Sequence, residues 1–387
     1  MAARIAGWSL VVLIAGTLAG CAGTPSATAP TTAPAAPAAP TTAPAAPTAA
    51  PDTAPTAPTA GQADLSGIKA YLVQKADGLQ QQTAALKQAS DRYYELAKAA
   101  SFDYAALWRD HRAEATAAVL EARKAWMAAS PGYEQMEGIV AGTPSLEQFD
   151  VDLDAGSSAA EGGDNVVSFD LSLPNGTSLP KPGNLFGVTE STLWGTEPSY
   201  RAAGVQADLN GNGSIEFDES LPDANVLKGG ADTLAAQAAA LAQAARSWQP
   251  TEAEAFRALV VMIPTMNEYF DSWKHSRFVA GDKTQQRDFV AISRLSDIQD
   301  ILGSLQVVHD GVSPLIKQVD TSQDRQIGAG LTDLRSFVAD IYKQEQGGKR
   351  FTPEEADLLG AEAQNRATAI TGQVSQAAAR LKIAVEP

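Results

Sequence analysis

Over residues 65–140 and again from about 224 almost to the C-terminus, apolar side chains return at every third or fourth position, and that spacing commits the chain to helices packed through one face. Ile68, Leu72, Ala76, Leu79, Leu86, Tyr93 and Leu96 mark one amphipathic helix over 65–99. A second is predicted over 103–129 with Leu107, Val119, Ala122 and Trp126 inward. Pro131-Gly132 should end it, because Pro lacks the backbone donor, and 133–140 should restart as a helix. In the second half Val226, Leu227, Leu234, Ala238, Leu241 and Trp248 form another stripe. Thr251 with Glu254 makes a capping box ahead of Phe256, Leu259 and Ile263, and Pro264 should kink that helix. Residues 289–308 and 327–342 supply two more, and Thr352-Pro353-Glu354-Glu355 opens the last with a cap, a first-turn Pro and an N3 Glu. The expected fold over 63–387 is all-α, with roughly eight helices forming a helical bundle, or two packed as one unit.

The stretch 141–183 breaks this pattern. Gly, Pro, Asp and Ser dominate, and only Val167, Phe169, Leu171 and Leu173 alternate before Pro174-Asn175-Gly176, which predicts a loop insertion with one hairpin. Asn184 then caps a short helix holding Phe186, Glu190, Leu193 and Trp194.

The N-terminal end cannot join the core. One Arg precedes an uncharged run over residues 5–19 that is too short to span a bilayer, which needs about 20 residues, and Leu18-Ala19-Gly20-Cys21 follows. This reads as a lipoprotein signal over 1–20 with Cys21 as the lipidated first residue of the mature chain, anchored to the membrane through lipid and facing the periplasm or the cell exterior. Residues 21–62 are Ala, Pro and Thr with little else, an extended spacer reaching on the order of 100 Å if fully stretched. Cys21 is the only cysteine, which excludes a disulfide, a zinc-thiolate site or a cysteine nucleophile from the folded part. The net charge of −16 argues against nucleic acid as a partner and is compatible with cations.

One loop carries metal-binding spacing. Asp208-Leu209-Asn210-Gly211-Asn212-Gly213-Ser214-Ile215-Glu216-Phe217-Asp218-Glu219 has the EF-hand pattern at each diagnostic position. Calcium takes six to eight oxygens, so Asp208, Asn210 and Asn212 would offer side-chain oxygens from alternate positions while Gly213 permits the sharp turn. Ser214 would give its carbonyl, Glu216 would bind directly or through water, Glu219 would supply two oxygens, and Ile215 would pack the loop onto its surroundings. Gly204 and Pro222 weaken the flanking helices, so an isolated loop with a structural calcium is expected, its affinity on the order of 10⁻⁴ to 10⁻³ M.

Phe186-Gly187-Val188-Thr189-Glu190-Ser191-Thr192-Leu193-Trp194-Gly195 resembles the signature region of the imelysin-like family. Further likeness lies in Ala122-Arg123-Lys124-Ala125-Trp126, in Tyr133-Glu134-Gln135-Met136-Glu137, and in the block opened by Phe351-Thr352-Pro353-Glu354-Glu355. The resemblance implies a helical fold of two bundle-like halves, an exported or lipid-anchored location, a link to iron or another divalent metal, and a permease or other envelope protein as partner; some members are described as peptidases. The family signature is His-x-x-Glu, in which residues three apart share a helix face. Here Gly187 stands at the His position and Glu190 remains, and the resemblance implies Glu137 as the second acidic group of a metal site. Ile292-Ser293-Arg294 falls where the iron-uptake members have a later His motif, which places a cation where a ligand is expected.

His111, His275 and His309 lie outside these motifs and read as surface or helix-end residues. The chain has no His-Glu-x-x-His, no phosphate-binding glycine loop and no Gly-x-Ser-x-Gly elbow. The leading expectation is a noncatalytic binding or accessory lipoprotein related to iron-uptake components, with a structural calcium loop. The alternatives are a functional iron-binding protein using Glu137 and Glu190, a calcium-stabilised scaffold for glycan or protein, and, last, a metallopeptidase.

Overall fold

The computed structural model describes residues 63–385; the signal, Cys21 and the spacer lie outside the described residues. The elements in order are α1 Ser66–Ala99, α2 Tyr104–Asp110, α3 Arg112–Val140, α4 Glu147–Asp150, β1 Asp170–Ser172, β2 Ser178–Pro180, α5 Leu185–Trp194, α6 Ala224–Ser247, α7 Glu252–Met262, α8 Met266–His275, α9 Arg277–Ala280, α10 Arg294–Val319, α11 Thr321–Gln346 and α12 Pro353–Leu381. Between α4 and β1 the chain makes one π-helical turn, Val151–Ala155. The fold is all-α apart from the small antiparallel hairpin β1–β2, in which Leu171 faces Leu179.

Local chemistry sets the helix starts. Asn184 accepts from the Gly187 N–H at 2.6 Å, Asp223 from Asn225 and Val226, and Asp320 from Ser322 and Gln323. The predicted capping boxes of α7 and α12 are both formed. The stripe of α1 is buried, save Leu96, which is half-buried, and packs against α3 and α6, while α8, α10, α11 and α12 pack on one another. The first turns of α10 follow a loop held by α5, and α10 also packs on α3, so one continuous core runs through both groups of helices. No helix among the described residues is long and apolar enough to cross a membrane.

Four expectations are corrected. Pro131-Gly132 does not end a helix, for α3 runs through both. An interior Pro costs about 3 kcal/mol, but Tyr133, Met136, Ile139 and Val140 beyond it are all buried, each contributing on the order of 1.5–3 kcal/mol. Gly132 belongs to the packing: a Cβ there would lie 2.3 Å from Gln82 Oε1 on α1. The helix expected from 103 instead breaks at His111 between α2 and α3. The helix expected from 289 starts only at Arg294, since the backbone N–H groups of residues 289–291 are captured by a carboxylate described below. His309 is no surface residue: it is buried on α10 with Nε2 3.3 Å from Asp324 Oδ1 of α11, and burial pushes its pKa down.

Candidate metal centre

Glu134 and Glu137 are three apart and share the buried face of α3. Opposite them, the π-turn widens the chain by one residue and turns Asp154 inward, with Asp150 one turn earlier at the end of α4. The first turn of α10 adds Arg294 and Asp297, again three apart and buried. Tyr269 of α8 donates its hydroxyl to Glu137 Oε1, and Tyr133 donates to Asp150 Oδ1 at 2.6 Å. Five carboxylates thus surround one guanidinium. Arg294 Nη1 lies 2.9 Å from Asp297 Oδ2, 3.5 Å from Glu134 Oε1 and 3.9 Å from Asp154 Oδ2. The rings of Phe289 and Tyr269 stack on the guanidinium at 3.8 and 4.8 Å.

One arginine cannot balance five buried acids. Burial, and the neighbouring carboxylates after it, push Glu134 well above the usual range. Burial does the same to Asp154 against the pull of Arg294, and it pushes Asp150 up to about 8 and Asp297 up to about 6. The centre therefore holds protons or a further cation at neutral pH. Its geometry suits the cation: Glu134, Glu137 and Asp154 each offer one oxygen, and those three oxygens lie within 4.8 Å of one another. Glu134 Oε2 and Glu137 Oε2 are buried without a hydrogen-bond partner. Such a donor set is all oxygen, the chemistry of hard cations, and no histidine belongs to it.

Of the two glutamates singled out by the resemblance, Glu137 is in this group and Glu190 is not. Glu190 Oε2 accepts the Phe289 N–H at 2.6 Å, and Oε1 accepts those of Val290 and Ala291 at 2.9 and 2.8 Å. Burial pushes its pKa up to about 8 against those three donors. Glu190 is thus a positioning residue, and the segment it grips includes Phe289 at φ +55°, a strained angle for an aromatic residue, whose ring covers Arg294. Gly187 has a spatial reason as well. A Cβ at 187 would sit 2.5 Å from Asp288 Oδ2, so the Asp288 carboxylate takes up the room a larger residue would need.

The 208–219 loop is organised by its own side chains. Asp208 Oδ1 accepts from Gly211 N at 2.6 Å and Asn212 N at 3.1 Å, and its Oδ2 accepts from Gly213 N at 2.9 Å. Burial works against the charged form of Asp208, but these three donors together hold its carboxyl below the usual range. Asn212 N also donates to Asn210 Oδ1 at 2.8 Å, and Ser214 N to Asn212 Oδ1 at 2.8 Å. Buried Glu219 closes the loop, accepting from Asn210 N at 2.9 Å and Glu216 N at 3.0 Å. Glu216 accepts from the side-chain amides of Asn210 and Asn212. Gly213 has φ +86°, which only glycine adopts freely. No helix flanks the loop; an antiparallel bridge between Arg201 and Pro222 holds its ends. Ile215 does not pack the loop down, being 48% exposed; in a lone loop it has no second loop to meet, and buried Leu209 anchors the loop instead.

The sequence alone singles out neither Glu134 as a ligand nor Asp150, Asp154 and Asp297, and Arg294 reads there as an obstacle. The i, i+3 spacing of Arg294 with Asp297, matching that of Glu134 with Glu137, is the signal that could have paired α10 with α3.

An all-α chain built around a buried carboxylate–arginine centre is the class of protein defined so far. The sequence profile of the Imelysin family matches residues 67–376, and the chain belongs to that family. Among solved structures, the iron-regulated protein A precursor from Parabacteroides distasonis is similar, with a TM-score of 0.50 and 15% identity over 84% of this chain and 96% of that one. That likeness concerns the fold. No curated protein sequence matches the chain.

Proposed function

We propose that this chain is an exported, lipid-anchored, noncatalytic binding protein of iron uptake, whose α3–α10 centre takes a hard cation as its cargo. The observation that carries this reading is the group Glu134, Glu137 and Asp154, three buried carboxylates with converging oxygens, two of which also present an unpartnered second oxygen. A site that must otherwise hold protons gains most from a cation of high charge. The similarity of the fold to an iron-regulated precursor favours iron among hard cations and favours export, which also agrees with the signal read over residues 1–20. Hydrolysis is disfavoured by the donor set, which lacks an imidazole, and by a nearest neighbour that is an arginine already paired with acids. In this reading a permease or other envelope protein receives the cargo. The 208–219 loop holds a structural calcium in this reading, for which the support is the EF-hand spacing of Asp208, Asn210, Asn212 and Glu219 and the turn at Gly213, φ +86°.

Calorimetric titration of the metal-free protein with ferrous and ferric iron tests the cargo. One equivalent should bind, and Glu137→Gln should weaken it at least tenfold, with Tyr269 still able to donate to the amide oxygen. Binding unchanged by that substitution would refute the site, and cleavage of casein by the iron- or zinc-loaded protein would refute the noncatalytic role.

A further inference from the structure

We propose that a second site, separate from the carboxylate centre, binds a small organic anion with a planar apolar body. It is a cleft of about 850 Å³ between the 208–219 loop, α9, the 289–291 segment and the turn joining α11 to α12. That volume falls within the range of small-molecule sites, about 300–1,000 Å³. The mouth carries two guanidiniums, Arg277 and Arg350, and among the described residues neither lies within 4.0 Å of a carboxylate oxygen. Several surface arginines of this chain, among them Arg92, Arg246 and Arg380, are in contact with an acid, whereas these two keep their forks free of carboxylate contact. A guanidinium presents a planar fork of donors that matches a carboxylate, sulfonate or phosphate.

The walls call for an apolar body. Phe217, 42% exposed, projects from the calcium-type loop and stacks beneath Arg277 at 4.2 Å, and Phe278 and Val290 line the same space. The floor is rigid, because the N–H groups of Val290 and Ala291 are held by Glu190. A preformed floor lowers the entropy lost on binding. Two acids share the lining, Asp282 and Glu345. Asp282 is exposed at the rim, while Glu345 is buried and accepts from Trp273 Nε1 at 2.7 Å; burial pushes it toward its neutral form against the opposing pulls of Trp273, Ser293 and Arg350. The balance facing a ligand thus tends to the positive, and an acid offering one charged group to the arginines and a ring to Phe217 fits both. None of this rests on the cation assigned to the other centre.

The test is a fluorescence titration of the folded protein with 8-anilinonaphthalene-1-sulfonate at fixed ionic strength. Saturable binding of one dye per chain is expected. Arg277→Gln and Arg350→Gln should each weaken it about tenfold, and the pair together by more, each removing one charge-assisted contact. Both side chains reach solvent, so the melting temperature should stay in place and report that the fold is intact. Lys124→Gln, an equal loss of charge on exposed α3 surface, should leave dye affinity unchanged. Dye binding that is indifferent to the double arginine variant, or that falls equally with Lys124→Gln, overturns the site.

Discussion

Replacing Arg294 by methionine removes the one resident cation of the carboxylate centre and keeps most of the side-chain volume. Arg294 Nη1 contacts Asp297, Glu134 and Asp154 at 2.9, 3.5 and 3.9 Å. At an effective dielectric near 20, each such pair is worth about 4 kcal/mol before desolvation. Breaking a buried pair by deleting one partner typically costs about 3–5 kcal/mol, because the remaining charges stay buried and uncompensated. For a domain of about 320 residues, at about 2.1 cal/mol/K of unfolding entropy per residue, that corresponds to a fall in melting temperature on the order of 4–7 °C. The loss should be largest at pH 8 and should shrink toward pH 5, where the stranded carboxylates hold protons instead. Ferric iron should restore part of the loss, since it takes over the role of the guanidinium. Differential scanning calorimetry of wild type and Arg294→Met at pH 5 and 8, with and without iron, reads all three effects. A variant as stable as wild type at pH 8, or one whose deficit grows as the pH falls, would refute the view that Arg294 balances these acids.

Three further outcomes follow from the same structure. The metal-free wild-type protein should lose stability between about pH 4 and pH 8: Asp150 and Glu190 are raised to about 8 and Asp297 to about 6, so the folded state keeps protons that the unfolded chain has released, and each group contributes a slope of up to about 1.4 kcal/mol per pH unit, Asp297 only up to about pH 6 and the other two up to about pH 8. Urea unfolding at pH 5 and pH 7.5 checks this, and a contribution of opposite sign would contradict it. Calcium should raise the melting temperature at millimolar concentration, and Glu219→Gln should abolish the increase without changing iron binding; an increase that survives the substitution would remove the loop assignment. Gly187→Ala should cost about 1–3 kcal/mol, because its methyl group would lie 2.5 Å from Asp288 Oδ2, and Asp288→Ala made alongside it should recover much of that loss; chemical denaturation of the two variants measures both.

The helices and several of their boundaries were legible because they rest on local chemistry: the stripe of α1, the capping boxes at Thr251 and Thr352, and the Asn184 cap all act within a few residues. Where the sequence misled, a tertiary partner decided. Pro131 reads as a stop, yet the buried residues beyond it outweigh its missing donor. Residues 289–291 read as helix, yet Glu190, about a hundred positions earlier, holds their N–H groups. Glu190 itself has the look of a ligand from its motif and serves as a clamp. The centre was half legible: Glu137 could be singled out, but Asp150 and Asp154 sit in a Gly- and Asp-rich stretch that reads as loop, and nothing local announces a π-turn aimed into the core. Arg294 was seen as a cation out of place, and only packing of α10 on α3 reveals that it stands among acids.

The most direct measurement is anomalous diffraction at the iron edge from crystals of the protein loaded with iron. A single strong peak within about 2–2.5 Å of oxygens from Glu134, Glu137 and Asp154 is the expected result. A protein that takes up iron yet shows its peak elsewhere, or a loaded crystal with none between α3 and the π-turn, would contradict the assignment.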